Sequence, residues 1–350
     1  METRWGWQAH RYINNHAVDY LPDGMSFFLD HREFLDDHAT DPDGDSNPGF
    51  YHYIDIDFYP EFEAGNFPNQ LDSAIALYGI STLEYNGTVP WIIDQWTDSL
   101  TVLMSNSDWA NVWQIAAELG HYIADSHQPL HLTLNFNGQL TDNWGIHSRY
   151  ESSMVNANID ELTLPTGSGV YWDSVIDSTF RYIGNLYPFV ELIMVADDLG
   201  VGQDSDYGST YYNVMWTELD SITIISINSA IIDLASVWLT AWENAGRPNP
   251  NVISVDEENY YGAERYELGR NYPNPFNPIT TIDYSLPEQT QLKISVYDLS
   301  GKEVDVLFDG FQEAGIHEVF WNASNVSSGI YFYRLQAGDF VQTRKMVLLK

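Results

Sequence analysis

Apolar side chains recur at three- and four-residue steps through much of the first 250 positions, the spacing of amphipathic helices. The stretch SDWANVWQIAAELGHYIADSHQ, residues 107–128, carries Trp109, Val112, Trp113, Ala116, Leu119, His121, Ile123 and Ala124 on this period. Ser107 or Asp108 can cap its start, and Pro129 limits its end. The same pattern predicts helices over 7–20, 68–84, 90–105, 172–199 and 210–246. The last has an Ile-rich middle that suits a strand by residue type, but its length and the closing Gly246 favour a helix. Beyond this point the period changes. Residues 248–265, rich in Pro, Asn and acidic residues, read as a linker. TTIDYSL, QLKISVYDL, HEVFWNA, GIYFYRLQAG and FVQTRKMVLL then alternate apolar and polar positions, separated by Gly, Pro, Asn and Asp. The expected fold is a mainly α domain over 1–247, the linker, and a small antiparallel β-sandwich over 266–350.

Composition narrows the classes. A chain of 350 residues suits two domains, and 15% aromatic content supplies ample material for two cores. There is no cysteine, which excludes disulfides and thiolate metal sites. The net charge of −36 is uneven: residues 1–250 hold 36 acidic and 6 basic residues, all arginine, whereas residues 251–350 hold 14 acidic and 8 basic residues. Such a surface repels polyanions at long range, although salt screens that repulsion within about 10 Å. A duplex-DNA binder needs a basic face, and none is visible; solubility in a salty medium is the plainer meaning. No run of 18 apolar residues suggests a membrane span. METRWGWQ lacks the apolar centre of a signal peptide, so a leader is expected to be missing from this chain or already removed.

The chemistry concentrates between 121 and 151, where His121, Asp125, His131, His147 and Glu151 fall in one window. His121 and Asp125 share a helix face, and His147 and Glu151 repeat the four-residue step. A lone buried histidine is usually a hydrogen-bonded core residue, and a single His–acid pair is often only a surface contact. Two such pairs with a third histidine between them point instead to a metal, and imidazole and carboxylate are the ligands a cysteine-free chain can offer. Asp41, Asp43, Asp45 and Asn47 also have the spacing of a calcium loop, but position twelve is His52 rather than Glu. His16, His31, His38 and His127 fit no motif and are expected at the surface or beside the site.

The order HxxxDxxxQPxH followed by GxHSxYE, carried here by His121, Asp125, Gln128, Pro129, His131, Gly145, His147, Ser148, Tyr150 and Glu151, resembles the zinc-dependent phospholipases C and the related fungal-type single-strand nucleases. Trp5-Gly6 with His10, and Asp41 followed by His52-Tyr53, extend the resemblance over about 5–247. The resemblance implies a helical catalytic domain holding three zinc ions. One is held by Asp41, His52, His121 and Asp125. A second takes His131, His147 and Glu151. The third takes His10, Asp125 as a bridge, and the amino and carbonyl groups of Trp5, which implies removal of residues 1–4. It further implies phosphodiester hydrolysis by a hydroxide bridging two ions, with Asp125 and Asp41 as the catalytic carboxylates. The HSxYE ending leans toward phospholipase, although Gln8, Pro42 and Gly49 stand where the choline pocket has an acid and aromatics. Single-stranded nucleic acid is the alternative substrate, with Tyr53 either stacking on a base or packing in the core. A non-catalytic, metal-stabilised surface protein is the rival class.

The segment LGRNYPNPFNP over 268–278, with VYDLSGKEV, SSGIYFYRL and the basic end TRKMVLL, resembles the sorting domain of cargo of the bacterial type IX secretion system. That resemblance implies the secretion machinery as partner and a secreted or cell-surface destination.

Overall fold

The computed structural model of the protein describes residues 6–44, 47–250, 266–272, 274, 276–299, 301–338 and 340–348. The chain divides into two compact units, 1–252 and 253–350. The first is mostly helical and the second consists of antiparallel β-sheet. Of the expected linker only 248–250 are among the described residues.

The helices follow the apolar period and stop where local chemistry stops them. Trp109–Ser126 starts after Asp108, whose side chain accepts from the Asn111 amide, and ends at His127, two residues before Pro129. The stretch expected over 68–84 is two helices, Leu71–Tyr78 and Ile80–Tyr85, because Gly79 takes φ 81° between them. The stretch over 172–199 likewise divides into Val175–Leu186 and Phe189–Gln203, parted at Pro188, which has no N–H to continue the ladder. The Ile-rich segment is the 36-residue helix Ser209–Asn244, not a strand.

This long helix is the axis of the core. It packs against Trp7–Ala17, Val89–Ser105, Trp109–Ser126 and Phe189–Gln203, and Trp238 donates its indole N–H to Ala116 O at 3.1 Å. It is long and apolar enough to cross a membrane, yet 67% of its most apolar window is buried inside the protein, as a core helix requires. A second close contact sets the site. Asn14, fully buried on Trp7–Ala17, donates to Leu35 O and Ala117 O, both at 2.9 Å. A Cβ on Gly120 would lie 1.9 Å from Asn14 Oδ1, so the small residue lets the two helices approach.

In the β unit, β1 (Glu267–Tyr272), β2 (Ile279–Leu286) and β5 (Gly315–Asn322) form one sheet in the order β1-β2-β5. β3 (Thr290–Asp298), β4 (Glu303–Gln312), β6 (Gly329–Ala337) and β7 (Phe340–Leu348) form the other in the order β4-β3-β6-β7. Every strand pair is antiparallel. Ile282, Tyr284 and Leu286 of one sheet share a core with Ile294, Val296, Tyr333 and Leu335 of the other, which makes the unit a sandwich. β1 and β4 are the strands the alternation did not reveal; β4 has no fully buried position. Phe276 is buried against Trp321, and its amide donates to Val347 O, so this residue closes on the last strand.

Candidate metal centre

Separate segments of the chain deliver the candidate side chains. His10 comes from Trp7–Ala17, His52 from the loop after a single 3-10 turn, and His121 and Asp125 from one face of Trp109–Ser126. His131 lies on the 3-10 turn Pro129–Leu132 that follows directly. His147 and Glu151 lie on a short helix, Ile146–Ser148, that widens into a π-turn at Arg149–Met154. Such widened turns are rare and frequent at functional sites.

Two of the donor groups lie side by side. In the first, His52 Nδ1 lies 3.0 Å from His121 Nε2 and 2.8 Å from Asp125 Oδ2, while His121 Nε2 lies 3.1 Å from the same oxygen. In the second, His131 Nε2 lies 3.2 Å from His147 Nε2, and Glu151 Oε2 lies 3.0 Å from His147 and 3.6 Å from His131. Donors arranged tetrahedrally at the roughly 2.0–2.2 Å of zinc ligation stand about 3.4 Å apart, so both groups have the right size. Asp125 joins them: its other oxygen lies 3.3 Å from His131 Nδ1 and 3.6 Å from His10 Nε2.

The tautomers follow from hydrogen bonds behind the ligands. His121 Nδ1 meets Ala39 O at 3.0 Å, His131 Nδ1 meets His52 O at 2.8 Å, and His147 Nδ1 meets Phe136 O at 3.1 Å. A carbonyl oxygen only accepts, so each Nδ1 carries the hydrogen, and each neutral ring turns an Nε2 lone pair inward. Lone pairs on His131 and His147 therefore face one another beside a carboxylate. A proton or a cation must lie between them. Gln128 holds Glu151 from behind, donating to Oε2 at 3.1 Å.

Without a cation, protons settle the balance. Burial opposes charge on Asp125, but His121, His131 and His52 around it hold its carboxyl well below the usual range. Burial likewise opposes charge on His131, yet Asp125 and Glu151 raise it to about 9. His10 is pushed the other way, well below an ordinary histidine, by burial and by His121, whose ring stacks on it at 4.1 Å. Neither His10 ring nitrogen has a hydrogen-bond partner although the residue is fully buried, and Glu151 Oε1 and Asp125 Oδ1 also lack one. Leaving a buried polar atom unpaired costs about 1–3 kcal/mol, and a divalent cation is the partner that suits nitrogen lone pairs and carboxylates together. Three groups among the described residues could hold such an ion: His52, His121 and Asp125; His131, His147 and Glu151; and His10, Asp43 and His121.

The acid nearest the first group is Asp43, with Oδ1 3.7 Å from His121 Nε2. Asp41 sits outside these groups. Its Oδ2 accepts from Gln114 at 2.9 Å and meets His38 Nδ1 at 2.7 Å. Trp5 and Asp45 lie outside the described residues, which leaves the expected amino-terminal ligand and the calcium loop undescribed. Tyr53 is partly buried and its hydroxyl donates to Tyr85 O. His127 is fully buried rather than at the surface, pairing with Asp233 at 3.0 Å and stacking on Tyr182.

The motif pattern did not reveal how the second group is braced. Arg149, between His147 and Glu151, donates to Asp197 Oδ1 at 2.7 Å, to Tyr211 Oη at 2.9 Å and to Trp144 O at 2.6 Å. Its guanidinium lies 4.3 Å over the Tyr207 ring. Asp197 and Tyr211 come from two helices more than forty positions away, and no local spacing signals them.

Residues 270–349 match the secretion system C-terminal sorting domain. The sorting domain marks the chain for secretion or cell-surface export. No curated protein matches the chain. Among solved structures, the chain is similar to the alpha-toxin of Clostridium perfringens avian strain SWCP, with 11% identity, TM-score 0.47, and 97% of each chain covered. It is also similar to the alpha toxin of Clostridium absonum, with 11% identity, TM-score 0.43, and coverage of 97% of this chain and 98% of that one.

Proposed function

We propose that residues 1–247 form an exported, zinc-dependent phosphodiester hydrolase of the phospholipase C type, and that 266–350 serve its export through the type IX machinery. The observation that carries this reading is the pair His131 and His147: both Nδ1 atoms are committed to carbonyls, and the two Nε2 atoms converge 3.2 Å apart on Glu151. His52, His121 and Asp125 repeat the arrangement alongside. Harder cations such as calcium prefer oxygen ligands, whereas this imidazole-rich set suits zinc.

Zinc held there supplies Lewis acidity and a nucleophile at neutral pH. The chain's own residues supply the rest. Asp125 ties the two groups through its two oxygens, Gln128 fixes the angle of Glu151, and the carbonyls of Ala39, His52 and Phe136 set the ring tautomers. His10, buried and pushed toward neutrality, offers a further lone pair beside Asp125. Asp43 lies nearer these side chains than Asp41, whose carboxylate is bonded to Gln114 and His38.

The test is elemental analysis of the purified chain together with hydrolysis of bis(p-nitrophenyl) phosphate, phosphatidylcholine and single-stranded DNA, each with and without a chelator. Bound zinc and chelator-sensitive cleavage of the phosphodiesters are expected. Zinc that raises the melting temperature with no hydrolysis of any substrate overturns the enzymatic reading in favour of a metal-stabilised surface protein. Cleavage of DNA alone overturns the phospholipase assignment.

A further inference from the structure

The loop 134–145, between His131 and His147, exposes three large apolar side chains: Phe136 at 41%, Leu140 at 68% and Trp144 at 63%. Exposed apolar groups on a slack loop would mean little. This loop is held in shape throughout. Gly138 N bonds Asn135 O, Asn143 N bonds Gly138 O, and Gly145 N bonds Asn137 O. The Asn135 side chain spans to Thr141 and to the Leu140 amide, and Asn143 reaches Asp197 at 2.9 Å. Gly138 takes φ 72°, where a Cβ would lie 2.4 Å from Asn143 O. The loop is a compact structure of the kind that carries function.

It also belongs to the candidate centre. Phe136 gives its carbonyl to His147 and its ring lies 5.9 Å from the imidazole, edge to face. Trp144 gives its carbonyl to Arg149. The apolar tips and two ligands, His147 and Glu151, therefore share one rigid frame.

Charge selects the partner. Residues 1–250 carry a large acidic excess, yet 132–148 hold a single charged residue, Asp142. An acidic body repels anionic polymers and anionic bilayers. A lip with one exposed carboxylate, Asp142, beside leucine and two aromatics, one an amphipathic Trp, and with no basic residue to draw an anionic surface, suits the interfacial region of a bilayer with no net charge.

We propose that Phe136, Leu140 and Trp144 form a lip that docks the centre onto a zwitterionic phospholipid surface, so that the substrate is taken from an aggregate rather than from solution. The proposal rests on the phosphodiesterase reading above and names the physical form of its substrate. The test compares the zinc-loaded full chain with a Leu140→Gln/Trp144→Gln variant, neither residue being a ligand. Three readouts are taken: co-sedimentation with phosphatidylcholine vesicles, turnover of those vesicles, and turnover of soluble bis(p-nitrophenyl) phosphate. Vesicle binding and vesicle turnover are expected to fall about tenfold or more, with soluble turnover within twofold. Equal vesicle binding by both proteins, no vesicle binding by the unaltered chain, tighter binding to phosphatidylglycerol vesicles, or a parallel fall in soluble turnover each overturns the lip. Failure of the unaltered chain to cleave either phosphodiester overturns the enzymatic reading instead, while co-sedimentation still decides the lip.

Discussion

Asp43 Oδ1 stands 3.7 Å from His121 Nε2, whereas Asp41, two residues earlier, turns its carboxylate to His38 and Gln114. The sequence resemblance assigns the ligand role to Asp41, and the side-chain geometry favours Asp43. The Asp43→Asn substitution should weaken metal binding at the His10, Asp43 and His121 group by about tenfold or more, and Asp41→Asn by less than threefold. Chelator-competition titration of both variants decides between them. The reverse order restores the role to Asp41.

Removing the metal should loosen the helical domain. A ligand present at about a thousand times its Kd adds about 4 kcal/mol to stability, and for a domain of this size each kcal/mol moves Tm by roughly 2–4 °C. Chelation should therefore lower the melting temperature by roughly 10 °C, restored by zinc but not by magnesium. Differential scanning calorimetry gives the answer, and an unchanged Tm argues against any ion in the centre.

His131 sets a pH dependence with a definite sign. Its folded-state pKa is raised to about 9, against burial, by Asp125 and Glu151. In metal-free protein this stabilises the fold fully below the ordinary histidine value of 6.5 and is lost as pH rises toward 9. An incoming ion must displace the proton, so metal affinity should fall about tenfold for each unit of pH below 9 while one proton is released. Calorimetric titration at three pH values in buffers of different ionisation enthalpy counts that proton. Affinity independent of pH would mean that the proton is not there.

The buried pair Arg149 and Asp197 should matter for stability before chemistry. Both side chains are almost fully buried, and Tyr211 bonds to both. Breaking a buried pair by removing one partner costs about 3–5 kcal/mol. Arg149→Met is expected to cost that amount in denaturant unfolding, and Arg149→Met/Asp197→Leu to recover part of it. A single variant as stable as the parent shows that the pair does not brace the loop.

The helical period, a cap at Ser107 or Asp108, the change to alternation after 265 and the candidate window 121–151 are properties of short stretches of chain, so they could be read from it directly. Helix breaks at Gly79 and Pro188 were also written locally, but the apolar pattern runs across both and hides them. β4 escaped notice because it has no fully buried position, which blurs the alternation. The long helix was legible by length, although its residue types suit a strand.

Local spacing accounts for His121 with Asp125 and for His147 with Glu151, because a helix returns a side chain to the same face after four residues. It says nothing about which groups from other segments arrive there. Only the packed fold brings Asp43 rather than Asp41 near His121, seats Asn14 against Gly120 so that His10 stacks on His121, and sets Arg149 between Asp197 and Tyr207. Those contacts depend on how helices distant in sequence approach in space, and that approach is set by the volume and shape of everything packed between them.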